Sequence, residues 1–227
     1  MELDLLGARA WPALEEERVG GWRLRFSRGI TGRANSVLPL GPDGRPPLDE
    51  RIAAVEAAYR AHGLPPKFQL VQSAWPPELP AELAARGYVE DEGTLVMTAP
   101  IGSWTGDASL FDEPTDEWLD LYGHRDARGI VEAIEPETRF AERHGVACGL
   151  GVLDGGWLGV YCMRTRAAAR RQGHAREIVG ALLAWGRSAG ATRAYLCVHS
   201  TNVPAQALYR GLGFETAQTY RYFTAAG

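Results

Sequence analysis

The feature that most constrains this chain is an order of elements that occurs twice at one separation. Ile52 and Ile178 each begin the apolar face of a helical segment, Gly87 and Gly213 each follow a shorter one, and both pairs stand 126 residues apart. In the first half Ile52, Val55 and Tyr59 recur at helical spacing, in a segment that starts near Asp49 and stops at His62-Gly63. The strand Phe68-Gln69-Leu70-Val71 follows, then a proline-led helix near Glu78 to Ala85, Gly87-Tyr88 and the strand Thr94 to Met97. In the second half Ile178, Leu182 and Trp185 mark a helix face that ends at Ser188-Ala189-Gly190. A strand at Ala194 to Val198, a helix from Asn202-Val203-Pro204 through Tyr209, the break Gly211 to Phe214 and a strand near Thr219 to Phe223 complete the order. A fixed period of this kind points to duplication, and the weak residue identity between the halves also permits coincidence.

Each half therefore reads as helix, strand, helix, strand appended to an antiparallel region. That is an α/β fold of two tandem mixed-sheet domains flanked by helices. The boundary falls near Pro100 to Thr105, giving domains at 1–100 and 107–227. In the first antiparallel region Gly21 to Phe26 alternates like a half-buried strand and Ala34 to Leu40 supplies its neighbour. After the linker, helices are expected around Glu117 to Tyr122 and near Glu135 to Arg143. Val146 to Leu153 and Trp157 to Met163 read as two buried strands joined at Asp154-Gly155-Gly156, where a type I′ turn suits the glycines.

Composition narrows the class. With 24 Lys plus Arg against 28 Asp plus Glu, the formal charge of -4 disfavours a whole-chain nucleic-acid footprint. Cys148, Cys162 and Cys197 are odd in number, far apart and set among apolar residues, which suits packing in a reduced cytoplasmic interior better than a disulfide framework. The acidic start lacks the basic region of a signal peptide, and no apolar run approaches the roughly 20 residues that cross a bilayer. His124, His144, His174 and His199 show no compact ligand spacing, so no metal is expected. Trp22, Trp75 and Trp157 serve either a core or the wall of an apolar pocket.

The chemical signal lies in Arg164 to Arg176. Gly173 and Ala175 allow close backbone approach to a ligand, and the helix that follows directs its N-terminal N–H groups towards an anion. Arg164, Arg166, Arg170, Arg171 and Arg176 add positive potential. A solvated loop or a protein contact would use several of the same features.

Arg170-Arg171-Gln172-Gly173-His174-Ala175 after a strand, then a long helix, a strand, Asn202, a helix and Ala207-Leu208-Tyr209-Arg210-Gly211-Leu212-Gly213-Phe214 together resemble the GCN5-related N-acetyltransferase family. The family's coenzyme A signature falls on Arg170, Gly173 and Ala175. The match covers Val146 to Phe223, about one third of the chain, and the amino half resembles a divergent second copy.

The resemblance implies acetyl-CoA as cosubstrate and acetyl transfer to a primary amine on a small molecule or peptide, by direct attack and without a metal. With the charge and the lack of a long apolar run, no nucleic-acid or membrane partner is expected, and the protein is expected to be a monomer or homodimer. The backbone of Met163 and Thr165 would meet pantetheine, and Arg170, Arg171, Gln172, Gly173, His174, Ala175 and Arg176 would surround the phosphates. Asn202 would line the cofactor or simply cap its helix. Tyr209 would protonate the departing thiolate or pack with a satisfied hydroxyl. No carboxylate stands in Leu158 to Met163, so the resemblance supplies no base; His199, Glu132, Glu135 and a water relay stay open. The first half offers Gly41-Pro42-Asp43-Gly44-Arg45-Pro46-Pro47 before its helix, and prolines remove N–H donors there. One cofactor site and one degenerate half are expected, with a noncatalytic acyl-CoA sensor as the alternative.

Overall fold

The computed structural model describes residues 2–41, 45–71 and 76–225, so Pro42, Asp43, Gly44 and Trp75 lie outside the described residues. In chain order the elements are α1 (Glu2–Ala10), β1 (Glu15–Val19), β2 (Trp22–Phe26), β3 (Leu38–Pro39), α2 (Leu48–Ala61), β4 (Lys67–Val71), α3 (Leu79–Ala85), β5 (Tyr88–Glu90) and β6 (Thr94–Pro100). They continue with β7 (Ser109–Phe111), α4 (Asp116–Tyr122), α5 (Arg128–Glu132), β8 (Glu137–Arg143), β9 (Ala147–Asp154), β10 (Trp157–Thr165), α6 (His174–Ser188), β11 (Arg193–His199), α7 (Val203–Arg210) and β12 (Glu215–Ala225).

The 126-residue correspondence extends well beyond two marker residues. Adding 126 to the limits of α2 gives 174–187, against 174–188 for α6; β4 maps to 193–197, against 193–199 for β11; α3 maps to 205–211, against 203–210 for α7. The expected tandem α/β architecture is present. Two compact units form, but they are not contiguous: one holds residues 1–95, 199–201 and 218–227, the other 96–198 and 202–217. The first unit thus takes most of β12, and the second takes most of β6. A strand's sequence predicts that it will pair, while its partner is set by edges remote in the chain.

In the first unit β2 pairs antiparallel with β1 and β3, and β12 pairs antiparallel with β4 and β5. Alternation turns Trp22, Leu24 and Phe26 onto Ile52, Val55 and Tyr59, the i, i+3, i+7 stripe of α2, with Phe68 and Leu70 beside them. The Tyr59 hydroxyl enters this core because it donates to the Arg25 carbonyl at 3.1 Å. Of the expected strand Ala34 to Leu40, only Leu38–Pro39 forms. Asn35 holds the preceding segment as a loop: its Oδ1 accepts from Ser27 N at 2.7 Å and Gly29 N at 3.1 Å, and its Nδ2 donates to Thr31 O at 2.8 Å.

The second unit orders its strands β6-β11-β10-β9-β8-β7, with α6 as the crossover between the parallel pair β10 and β11. The helix expected near Glu135 to Arg143 is instead strand β8, paired with both β7 and β9. Its sequence, Glu137 to Arg143, does not alternate; a ladder with β9 along its length and a second with β7 at Phe140 to Glu142 hold it extended, which no single-segment pattern reveals. Gly155 and Gly156 have φ of 56° and 81°, as the expected turn between β9 and β10 requires. Trp22 is a core residue of the first unit and Trp157 is buried in the second, its ring beneath the Arg193 guanidinium.

Candidate active site

The central strand β10 is irregular where the site begins. Its register with β9 shifts between Tyr161 and Arg164, and Cys162 adopts φ 52°, a left-handed conformation uncommon outside glycine. Pairing with β11 runs only from Trp157↔Arg193 to Val160↔Leu196, although the strands continue to Thr165 and His199. Beyond Val160, then, the β11-facing edge of β10 carries backbone groups that the ladder does not use. A bulge re-aims side chains and the splay leaves donors and acceptors for an extended ligand. Neither feature had a sequence signal, since Cys162 is not a residue that announces positive φ.

From Thr165 the chain passes through a short turn at Ala167–Ala169 into α6. Gly173 is the N-terminal cap with φ 86°, and its carbonyl accepts the first helical bonds, from Arg176 N at 2.9 Å and Glu177 N at 3.2 Å. The amides of His174 and Ala175 precede those donors at the positive end of a 15-residue helix. A β-carbon on Gly173 would meet nothing within 4 Å, so its surroundings are open.

The arginines divide into two groups. Arg164 donates to Tyr122 O at 3.1 Å, Arg166 to Gly145 O at 2.9 Å, and Arg170 to Thr165 O at 3.4 Å, so these three brace the loop. Arg171 and Arg176 are exposed. Gln172 Nε2 donates to Ala168 O at 3.1 Å. His174 receives a 2.8 Å hydrogen bond at Nδ1 from Arg143, which also holds the Asp107 carboxylate at 2.8 Å. Accepting at Nδ1 requires the tautomer with its proton on Nε2. Arg143 and Asp107 are distant in sequence from the motif, and the sequence reading missed them.

Met163 packs its sulfur towards Gly149, where an added β-carbon would lie 2.7 Å away, and Thr165 pairs with Ala147 at the end of β10. Asn202 caps α7 by accepting from Ala205 N at 3.3 Å. Tyr209 is buried against Phe214, with ring centroids 6.1 Å apart. Burial pushes its phenol up to about 12, which keeps the proton in place at neutral pH.

Burial likewise pushes the Cys148 thiol up to about 12, the opposite of what a thiolate nucleophile needs. His199 is exposed in the first unit, with Nδ1 2.8 Å from Thr201 Oγ1 and Nε2 3.8 Å from a Glu92 carboxylate oxygen. Glu132 is paired with Arg128, and Glu135 is exposed. Among the described residues no cluster of His, Cys, Asp and Glu could hold a metal ion, and no helix is long and apolar enough to cross a membrane.

The sequence and the fold both have known relatives. The family described as "Probable histone acetyltransferase Rv0428c C-terminal" matches residues 2–223. The probable histone acetyltransferase Rv0428c of Mycobacterium tuberculosis is 33% identical over 230 residues, covering 98% of this chain and 73% of that protein. The uncharacterized N-acetyltransferase YobR of Bacillus subtilis is 29% identical, covering 97% and 96%. Among solved structures, a GCN5-related N-acetyltransferase from Kribbella flavida superimposes with a TM-score of 0.73 at 16% identity, over 100% of this chain and 95% of that one. A tandem GNAT protein from the clavulanic acid biosynthesis pathway gives 0.61 at 14% identity, over 99% and 87%. At those identities the structures speak for the fold, while the sequence relatives carry the general activity of acyl transfer. The chain belongs to the Rv0428c C-terminal acetyltransferase family, and it shares its fold with GCN5-related N-acetyltransferases.

Proposed function

We propose that the second unit binds acetyl-CoA and transfers its acetyl group to a primary amine. The observation that carries this reading is the splay of β10 from β11 after Val160, on the strand that leads into the Gly173 cap of α6. Pantetheine is an extended amide chain that can pair along the open edge of β10, with the backbone of Met163 and Thr165 as its partners. The pyrophosphate is assigned to the segment Arg170 to Arg176: its charge suits the amides at the start of α6, Arg171 and Arg176, and the Nε2–H of His174. Asn202 lines the same ligand while capping α7.

A neutral amine attacks the thioester carbonyl, forming the C–N bond; the C–S bond then breaks and the ammonium proton leaves through water. Backbone N–H groups at the β10 bulge stabilise the oxyanion. Tyr209 gives its proton to the thiolate and regains one from solvent. The first half acts as a degenerate scaffold. Its helix α2 starts after Pro46-Pro47, which offer no N–H, and its cap residue is Pro47.

The test is calorimetric titration of the full chain with acetyl-CoA, followed by thiol-release assays with a polyamine, an aminoglycoside and a basic peptide. Saturable binding with turnover of at least one amine supports the reading. Binding without turnover across the panel would identify a noncatalytic acyl-CoA module, and no binding would reject the cofactor assignment.

A further inference from the structure

The first unit buries a charge that no carboxylate of the described residues pairs with. Trp22, Leu24 and Phe26 face α2, so alternation along β2 turns Arg25 to the opposite face of the sheet, where it is 1% exposed. Its Nε donates to Ser36 O at 2.9 Å, and its Nη2 donates to Ser36 Oγ at 2.7 Å and to Gln69 Oε1 at 2.8 Å. All three acceptors are neutral. Among the described residues no carboxylate forms an ion pair with Arg25, and its side-chain bonds run from Nε and Nη2 but none from Nη1, which is not among the atoms sealed from solvent without a partner. Glu16, whose charge acts only weakly here, is bonded to Arg23 at 2.8 Å. Burial lowers Arg25 to about 10, so the guanidinium is still cationic at neutral pH. A charge held this way is strongly unfavourable unless something completes its hydrogen bonding.

A second cation converges on the same face. Tyr222 stands directly opposite Gln69 in the β12–β4 ladder. Lys67 Nζ lies 5.5 Å from the centre of the Tyr222 ring. A β-carbon on Gly32 would stand 3.5 Å from that Nζ and 3.7 Å from Tyr222 Cζ, so loop, strand and ring meet there. Lys67 has no carboxylate partner among the described residues. The second unit treats the matching face differently: Tyr195, 126 residues after Gln69, bonds to the Tyr161 hydroxyl at 2.9 Å and packs on the ring of Trp157. Aromatic rings fill such a face without a desolvation penalty, so an arginine there needs another reason.

We propose that the first unit binds a small carboxylate, with Arg25 Nη1 as its donor and Lys67 as the second cation. A planar two-oxygen group suits one remaining guanidinium nitrogen and one ammonium, with one oxygen to each cation. The inference stands apart from the acyl-transfer reading.

Titrate the full chain with acetate, glycine and succinate by calorimetry, with inorganic phosphate and chloride at matched ionic strength, and follow the melting temperature in parallel. Saturable binding of at least one carboxylate with a raised melting temperature is expected. Lys67→Met should weaken that binding about tenfold and Arg25→Gln should abolish it. Lys67 lies outside the core, so its variant decides the matter even where Arg25→Gln fails to fold. Absence of saturable carboxylate binding by the folded wild type, unchanged affinity in Lys67→Met, or saturation by phosphate where no carboxylate binds would each overturn the proposal.

Discussion

Gly106 and Gly180 meet without room for a side chain on either. A β-carbon on Gly106 would lie 2.2 Å from the Glu177 carbonyl oxygen, and one on Gly180 would lie 2.3 Å from that of Thr105. This contact lays the linker on α6, and the next residue, Asp107, donates its N–H to Glu177 at 2.9 Å and bonds through its carboxylate to Arg143. Gly180→Val should therefore cost about 1–3 kcal/mol, because helix backbone and linker backbone must separate. Gly7→Ala is the control: it sits in α1 with nothing within 4 Å, and should be stabilising by about 0.5–1 kcal/mol. Urea denaturation of both variants measures the difference. Equal stabilities would show that the linker leaves α6 freely.

The phosphate placement is tested at two ends of one helix. Gly173 and Gly190 flank α6 with φ of 86° and 94°, and a β-carbon on either meets nothing within 4 Å, so glutamate imposes similar backbone strain at both. Only at 173 would the carboxylate stand beside the proposed pyrophosphate, where its charge repels the ligand while favouring the helix N-terminus. Acetyl-CoA affinity should fall by about tenfold or more in Gly173→Glu relative to Gly190→Glu. Equal affinities, measured by calorimetry on folded proteins, would remove the phosphates from this loop.

Tyr209→Phe keeps the ring that packs on Phe214 and removes the hydroxyl. If the phenol protonates the thiolate, the chemical rate should drop by about 10²- to 10⁴-fold with acetyl-CoA affinity nearly unchanged. Pre-steady-state thiol release separates this from slow product release. Because burial holds the phenol at about 12, the wild-type rate should show no loss attributable to Tyr209 ionisation across the neutral and mildly alkaline range. An unchanged rate in the variant would leave water as the proton donor.

Alkaline stability follows from the same burial. Burial raises the Tyr59, Tyr88 and Tyr209 phenols above the ordinary 10.0, so the fold retains protons that the unfolded chain has lost. Stability should then decline as pH rises through about 10. Arg25 acts with the opposite sign: lowered from 12.5 to about 10, it contributes stability that grows over that window. Three phenols outweigh one guanidinium. Denaturation midpoints from about pH 9 to about pH 11 should fall, and a rise would contradict the burial of these rings.

What was legible in the sequence depended on neighbours close along the chain. The α2 stripe Ile52, Val55, Tyr59 and its counterpart on α6 are local periodicities, and the turn at Gly155-Gly156 and the cap at Gly173 are glycines used for positive φ. The tandem order and the family resemblance rest on such features. Tertiary structure alone decided the rest. Cys162 takes a left-handed conformation although nothing in its side chain favours one, because β10 must shift register against β9. Glu137 to Arg143 became a strand because two ladders were available to it, and β6 and β12 joined units that their positions in the chain do not suggest. Arg25 makes the same point for chemistry. Alternation along β2 determined which way it faces, but Ser36 and Gln69, 11 and 44 residues away, decided that it would be buried. A strand specifies its two faces locally, and what covers each face is supplied by chain from elsewhere.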